Sequence, residues 1–340
     1  MVILGIETSC DETAAAIIKA DKNKPFVELL STVSPSSMQL HAKTGGIIPE
    51  IAAREQIKFV LPVIQQALAD ANITEQEKQI DAIAVTYGPG LIGSLLVGVE
   101  TAKTLAYIWN KPIIPVNHLY GHIYANWIDH NQTTISFPAL ALIVSGGHTD
   151  LVLMKNHSDI QWLGGTRDDA AGEAIDKIGR VIGFPYPSGP ALEKAALKGN
   201  PKRYQFPRPV KYDKAFDFSF SGLKAAALRE IQKINKLTED DICNIARGVQ
   251  DAIIDVLEYK ICKAIKIYNV KSLVISGGVA ANETVRATLQ RECENQGIAF
   301  FAPPKNLCTD NAAMIATAGF FNYREATWQE LTPNPELYFD

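Results

Sequence analysis

Apolar residues open the chain in short runs separated by polar turns. Val2–Ile6, Ala14–Lys19 and Val27–Val33 each have strand length and strand composition, with Glu7-Thr8-Ser9-Cys10-Asp11-Glu12 as the turn between the first two. Pro49 stands where a helix begins, and Ile57, Val60, Leu61, Ile64 and Leu68 follow at helical spacing. Ile80–Thr86 reads as a buried strand broken by Gly88-Pro89-Gly90, Leu91–Trp109 as a helix, and Pro112–Val116 as another strand. The plan then starts again. Strand Pro138–Val144 turns at Gly146-Gly147-His148-Thr149 into strand Asp150–Met154. Helices follow at about Asp168–Ile182, Pro190–Lys198, Ser221–Ile234 and Glu239–Tyr268. Strand Ser272–Ser276, helix Ala281–Gln296 and strand Ile298–Phe301 complete it. The order of elements repeats without any repeat of sequence. This alternation predicts an α/β protein. A chain of 340 residues predicts two lobes, 1–134 plus 306–340 and 135–305, with His130–Thr134 as the most linker-like stretch between them.

Composition narrows the class. Hydrophobic residues at 47% and charged residues at 21% are ordinary for a globular enzyme. No apolar run approaches the roughly 20 residues that cross a bilayer, and the start Met-Val-Ile-Leu-Gly-Ile-Glu lacks a basic leader region, so a cytoplasmic protein is expected. Five scattered cysteines (Cys10, Cys243, Cys262, Cys293, Cys308) with no Cys-x-x-Cys fit reduced thiols. The net charge of −4 is uneven. From Lys194 to Arg229, nine bases face only Asp213 and Asp217, a balance of +7. With Tyr204, Phe206, Tyr212 and Phe216 interleaved, such a strip can follow a phosphate backbone and stack on splayed bases. A solvated surface over buried aromatic rings fits the same residues.

The candidate chemistry lies in two histidines and two glycine loops. His118 and His122 are four residues apart, so a helix there would put both imidazoles on one face, able to grip a divalent cation with a third ligand from elsewhere in the chain. Three ligands leave positions open for water or substrate. His-x-x-x-His also suits a helix cap and a polar face residue. Val144-Ser145-Gly146-Gly147-His148-Thr149 leaves an apolar strand, and Ser276-Gly277-Gly278-Val279-Ala280-Ala281-Asn282 leaves another to enter a helix. Glycines let backbone N–H groups approach an anion, and a helix N-terminus favours one. Two such loops in equivalent places, with the Thr8-Ser9 turn, predict a nucleotide cleft between lobes.

The two-lobed plan resembles the actin–hexokinase–heat-shock ATPase superfamily. The whole chain more narrowly resembles the bacterial TsaD family, also called Gcp or YgjD. The likeness rests on Gly-Ile-Glu-Thr-Ser-Cys-Asp-Glu-Thr (5–13), His-Ala-Lys-Thr-Gly-Gly-Ile-Ile-Pro-Glu (41–50), Thr-Tyr-Gly-Pro-Gly-Leu-Ile-Gly-Ser-Leu (86–95) and Val-Ser-Gly-Gly-His-Thr (144–149). Asp-Asp-Ala-Ala-Gly-Glu-Ala-Ile-Asp-Lys (168–177), Phe-Asp-Phe-Ser-Phe-Ser-Gly-Leu-Lys (216–224), Ser-Gly-Gly-Val-Ala-Ala-Asn (276–282) and Cys-Thr-Asp-Asn-Ala-Ala-Met (308–314) complete it. The resemblance implies transfer of a threonylcarbamoyl group from threonylcarbamoyl-AMP to N6 of the adenosine just 3′ of the anticodon, in tRNAs reading codons that begin with A. It implies one divalent metal ion per subunit, Fe2+ or Zn2+, held by His118, His122 and Asp310. It places the acyl-adenylate on the loop Ile143, Val144, Ser145, Gly146 and Gly147 and on Asp176, Gly189 and Asn282, with Glu193 in the same group. It implies TsaB-like and TsaE-like partners and an upstream TsaC-type synthase, with 41–50 and the helix after Pro49 as the partner-binding and gating region. Many members carry Met-Glu or Met-Ala between the histidines, where this chain has Leu119-Tyr120.

A mixed anhydride with a good leaving group needs orientation and charge stabilisation more than a covalent nucleophile. Asp11 and Glu12 are candidate catalytic proton acceptors beside the first turn, or simply a solvated turn. Three rival readings remain. A zincin protease needs His-Glu-x-x-His, and Leu119 stands where that glutamate would be. A kinase or ATPase of the same fold has no use for paired imidazoles. An actin-like scaffold would use nucleotide only as a switch.

Overall fold

The computed structural model describes residues 1–35, 48–129 and 134–339. The chain divides into two compact units, Met1–Thr134 with Lys305–Asp340, and Ile135–Pro304. In the first, strands β1 (Val2–Glu7), β2 (Ala14–Lys19), β3 (Glu28–Val33), β4 (Ala82–Gly88) and β5 (Ile113–Asn117) form a mixed sheet of order β3-β2-β1-β4-β5. Strand β2 runs antiparallel to both β1 and β3, while β4 joins β1 and β5 in parallel. Central β1 is buried from Ile3 to Glu7, as a strand covered on both faces must be.

Helices α1 (Pro49–Asp70), α2 (Gln76–Gln79), α3 (Ile92–Trp109) and α4 (His118–Tyr124) come from the first stretch of this unit. Helix α1 packs on β2 and β3 through Ala52, Val60, Val63, Ile64, Ala67 and Leu68. Of the five apolar positions at helical spacing, Ile57 and Leu61 lie 64% and 53% exposed. They face away from the sheet because the buried stripe runs through Ala52, Gln56, Val60 and Val63.

The second unit repeats the sheet. Strands β6 (Ala139–Val144), β7 (Thr149–Asn156), β8 (Asp159–Gly165), β9 (Ser272–Ser276) and β10 (Ala299–Phe301) take the order β10-β9-β6-β7-β8. Its helices are α5 (Ala171–Val181), α6 (Gly189–Ala196), α7 (Ser221–Gln232), α8 (Glu239–Tyr268) and α9 (Glu283–Gln296). Helix α8 begins in a capping box of Thr238 and Asp241, a strong local start signal. Strand β8 was not expected; its Asp159-Ile-Gln-Trp-Leu-Gly-Gly stretch is mostly solvated and lacks an apolar run. The helix expected from Ala281 starts at Glu283, because Gly278–Ala281 forms a tighter turn that leaves Asn282 as the cap.

The chain then returns to the first unit with helix α10 (Ala312–Phe321). It packs on β1, β2 and α4 and is buried from Ala312 to Gly319. An all-round apolar helix has no polar face for periodicity to reveal. No helix among the described residues is long and apolar enough to cross a membrane.

Candidate active site

Helix α4 follows directly from β5, and the switch is made by Asn117. Its Oδ1 accepts the Leu119 amide at 2.8 Å and caps the helix. One turn then places His118 and His122 side by side, rings 4.7 Å apart and nearly perpendicular at 79°. Both are buried, so neither is a solvated polar face residue. Asp310 arrives from the turn before α10, where Asn311 Oδ1 caps the helix by accepting the Met314 amide at 2.9 Å. Asp310 Oδ1 lies 3.3 Å from His122 Nε2 and 3.5 Å from His118 Nε2.

These spacings suit a metal. An ion with four tetrahedral bonds of about 2.1 Å holds its ligand atoms about 3.4 Å apart. Among the described residues, His118, His122 and Asp310 form the one group able to present three ligand atoms together. Behind His118, Nδ1 lies 3.2 Å from Glu7 Oε2 and 3.1 Å from Ser9 Oγ. Burial opposes charge on His118, yet the Asp310 and Glu7 carboxylates raise its pKa to about 9. The pocket therefore favours positive charge, as a cation site should.

The loop after β1 is gathered by Gln56, whose Nε2 donates to the carbonyls of Thr8, Cys10 and Glu12 at 3.3, 3.2 and 2.9 Å. Asp11 and Glu12 are half-buried there, outside the three-ligand group. The Glu12 carboxylate accepts a long bond from Ser34 Oγ at 3.5 Å. Burial, with Asp310 and Asp11 adding to it, pushes the Cys10 thiol far up, which keeps it protonated and unreactive. Glu7 was given no role by sequence reasoning. The available signal was an acid closing an otherwise apolar strand.

In the second unit the two Ser-Gly-Gly loops are neighbours. Strand β6 pairs with β9 in parallel, Ile143 opposite Ser276. Gly277 has φ +90°, and a Cβ there would meet the Val144 carbonyl oxygen at 2.4 Å. Only glycine allows that approach. Ile143 and Val144 are wholly buried, so they can offer a ligand only main-chain atoms. Gly146 and Gly147 are exposed, and an added Cβ at either would meet nothing within 4 Å. The Gly147 amide, expected to face an anion, donates to Ser145 Oγ at 3.3 Å, and the His148 amide does so at 3.1 Å. The start of α5 closes on this loop, with the Gly172 amide donating to the Ser145 carbonyl at 3.1 Å.

Asp176, one turn along α5, accepts the Ser188 amide at 2.6 Å. Burial raises its pKa, against that amide and the Arg180 charge. Gly189 follows at the start of α6 with open space where a Cβ would be. Glu193, on the same helix, accepts the Glu283 amide at 2.7 Å. Asn282, the residue before, caps α9 through its Oδ1 and donates from Nδ2 to Gln250 Oε1 at 3.0 Å. Gly189, Glu193 and Asn282 are thus linked through α6 and the start of α9, with Asp176 attached through Ser188.

The basic strip is less available than its sequence suggested. Phe206 and Phe216 are 4% and 7% exposed, packed into the core, and cannot stack on a base. Arg208 pairs with Asp255 at 2.8 Å, and Lys224 pairs with Asp169. Tyr212 stays 75% exposed, with the Lys211 ammonium 5.5 Å from its ring centre. The stretch His41–Ile47 of the expected gating region lies outside the described residues.

Comparison with known proteins places the chain. The family model described as "TsaD: tRNA N6-adenosine threonylcarbamoyltransferase" matches residues 28–317. A protein of that name from Staphylococcus epidermidis is 44% identical over 340 residues, covering 100% of this chain and 97% of its own. One from Desulfitobacterium hafniense is 49% identical over 322 residues, covering 94% and 92%. Among solved structures, HypF of T. kodakarensis superposes with a TM-score of 0.61 at 15% identity, over 94% of this chain and 47% of that one. The activator of the 2-hydroxyisocaproyl-CoA dehydratase from Clostridium difficile, with bound ADPNP, superposes with a TM-score of 0.53 at 13% identity, over 95% of each chain. The latter two likenesses concern the fold alone, an α/β architecture of the actin–hexokinase–heat-shock ATPase type. The agreement of family model and relatives over nearly the full length means that this chain belongs to the TsaD family of tRNA N6-adenosine threonylcarbamoyltransferases.

Proposed function

We propose that this chain transfers a threonylcarbamoyl group from threonylcarbamoyl-AMP to N6 of the adenosine 3′ of the anticodon in tRNAs reading codons that begin with A. The observation that carries the chemistry is the convergence of His118, His122 and Asp310, with spacings of 3.3 and 3.5 Å. Two imidazoles and one carboxylate suit Fe2+ or Zn2+ better than Mg2+ or Ca2+. When bound, such an ion supplies Lewis-acid stabilisation of negative charge developing on acyl oxygens.

The remaining work falls to the chain. The open Gly146-Gly147 loop receives the adenylate phosphate, which needs no side chain at either glycine. Asp176 and Asn282 orient the nucleoside, Gly189 leaves it room, and Glu193 steadies the α9 start beside it. Asp11 or Glu12 takes the proton lost by the attacking amine. Release of AMP then needs no covalent intermediate.

A partner is part of this reading. Helices α1 and α3 carry Ile57, Leu61, Ile92 and Leu96, each more than 40% exposed, around a groove of about 1030 Å³. An apolar helix face of this size suits a related TsaB-like subunit. A TsaE-like protein and a TsaC-type synthase complete the pathway. All five cysteines are free, which suits a reducing cytoplasm. The test supplies labelled threonine, bicarbonate, ATP, synthase, partners and tRNA to this chain. Label should enter tRNA, fall sharply when partners are omitted, and vanish with a chelator or with His118→Ala. Undiminished transfer by His118→Ala would refute the metal-assisted reading.

A further inference from the structure

We propose that Glu7 is the positioning residue of the candidate metal centre, holding His118 with hydrogen on Nδ1 so that Nε2 presents its lone pair to the ion. This rests on the reading of His118, His122 and Asp310 as ligands.

Glu7 ends strand β1 at 1% exposure. A buried carboxylate is costly unless both oxygens are satisfied. Here they are. Oε1 accepts the Ser9 amide at 2.5 Å, and Oε2 accepts the Thr86 hydroxyl at 2.5 Å while facing His118 Nδ1 at 3.2 Å. A neutral side chain could brace the end of a strand with less desolvation, so the negative charge calls for another reason.

The imidazole supplies one. A neutral ring carries hydrogen on one nitrogen and a lone pair on the other, and the partner of the first decides which. Ser9 Oγ, 3.1 Å from the same Nδ1, can donate or accept and so leaves the choice open. An ionised carboxylate only accepts. Facing Glu7, Nδ1 must carry the hydrogen, so in the neutral ring Nε2 is the nitrogen left bare, on the side where Asp310 stands at 3.5 Å. Thr86, from the neighbouring strand β4, keeps Glu7 from rotating away. The turn after β1 thus acts on the ion through His118 without touching it.

The test uses the full chain and Zn(II). Glu7→Gln keeps shape and packing but, with its oxygen held by the Ser9 amide, turns its NH2 to Thr86 Oγ and to Nδ1. Partners of this kind contribute about 10- to 100-fold in metal affinity. Competition against a chromophoric chelator should therefore show Zn(II) binding weakened by about that factor, with the melting curve of the apo protein little changed. Well above pH 9, where the metal-free ring is neutral, spectra of protein carrying 15N-histidine should show His118 as the Nδ1–H tautomer in the wild type and as the Nε2–H tautomer in Glu7→Gln. Glu7→Asp should recover part of the affinity, and Thr86→Val should lose less than Glu7→Gln. Equal Zn(II) affinity and an unchanged His118 tautomer in Glu7→Gln would overturn the role of Glu7. A wild-type chain that binds no Zn(II) would instead overturn the ligand assignment beneath it.

Discussion

Gly5→Ala is a one-methyl change that should reach the metal ligands from inside the sheet. Gly5 lies in β1, where α10 crosses it; a Cβ there would meet the Ala312 carbonyl oxygen at 2.2 Å and Ala316 Cβ at 3.0 Å. Carbon and carbonyl oxygen rest at about 3.3–3.6 Å, so the helix must retreat by roughly 1 Å. Both neighbours belong to a buried helix, and no flexible side chain can swing aside. Overpacking of this kind costs about 1–3 kcal/mol. For a unit of this size, that lowers the melting temperature by about 2–12 °C. Ala312 is two residues beyond Asp310, whose oxygen stands 3.3 and 3.5 Å from the two imidazoles. Metal sites tolerate ligand displacements of about 0.2 Å, so Zn(II) affinity should drop by at least about 10-fold. Denaturant unfolding and Zn(II) competition on the same preparation measure both effects. Gly146→Ala, where a Cβ meets nothing within 4 Å, should leave both unchanged. A Gly5→Ala protein within about 0.5 kcal/mol of wild type and equal in Zn(II) affinity would refute the reasoning.

Three more outcomes are expected. His122→Ala removes one of three ligands and should abolish measurable Zn(II) binding and tRNA modification together; retention of either would count against the trio. Asp176→Asn should weaken binding of an AMP-bearing acyl-adenylate analogue by about 10- to 150-fold, since a hydrogen bond to a charged group is worth about 1.5–3 kcal/mol; calorimetry showing unchanged affinity would remove Asp176 from the nucleoside site. His157 packs edge-on against Phe137, and burial lowers its pKa from 6.5 to about 4. Below pH 6.5 the unfolded chain takes up a proton there that the folded chain refuses until about pH 4, so stability should fall as pH drops through that window. His157→Gln should flatten the fall, and an identical slope of stability against pH in the variant would exclude His157 as its source.

What could be read from sequence followed the strength of each local signal. Strand Ala14–Lys19, helix Glu239–Tyr268 and strand Ser272–Ser276 stood out with their true limits, because short apolar runs between polar residues or a Thr238 cap defined them. Helix Ala312–Phe321 was missed because burial on every side erases amphipathic spacing. The histidine pair was legible as a candidate only if its segment proved helical; Asn117 supplies the cap that makes it so. Asp310 entered through family resemblance, since no spacing rule links positions 118 and 310. Glu7 stayed hidden inside a strand pattern, and the burial of Phe206 and Phe216 could not be told from an exposed aromatic strip by composition.

The excursion of the chain out of its first unit after Thr134, and its return only at Lys305, has a consequence for synthesis. A ribosome releases both imidazoles long before the carboxylate that faces them, and the helix packed on the first sheet emerges only after the whole inserted unit. The first half of the nascent protein therefore waits with an open apolar seam while the inserted unit, contiguous in sequence, is free to fold beforehand. Chaperone protection during translation should concentrate on that seam, and ion capture should be a late event of maturation.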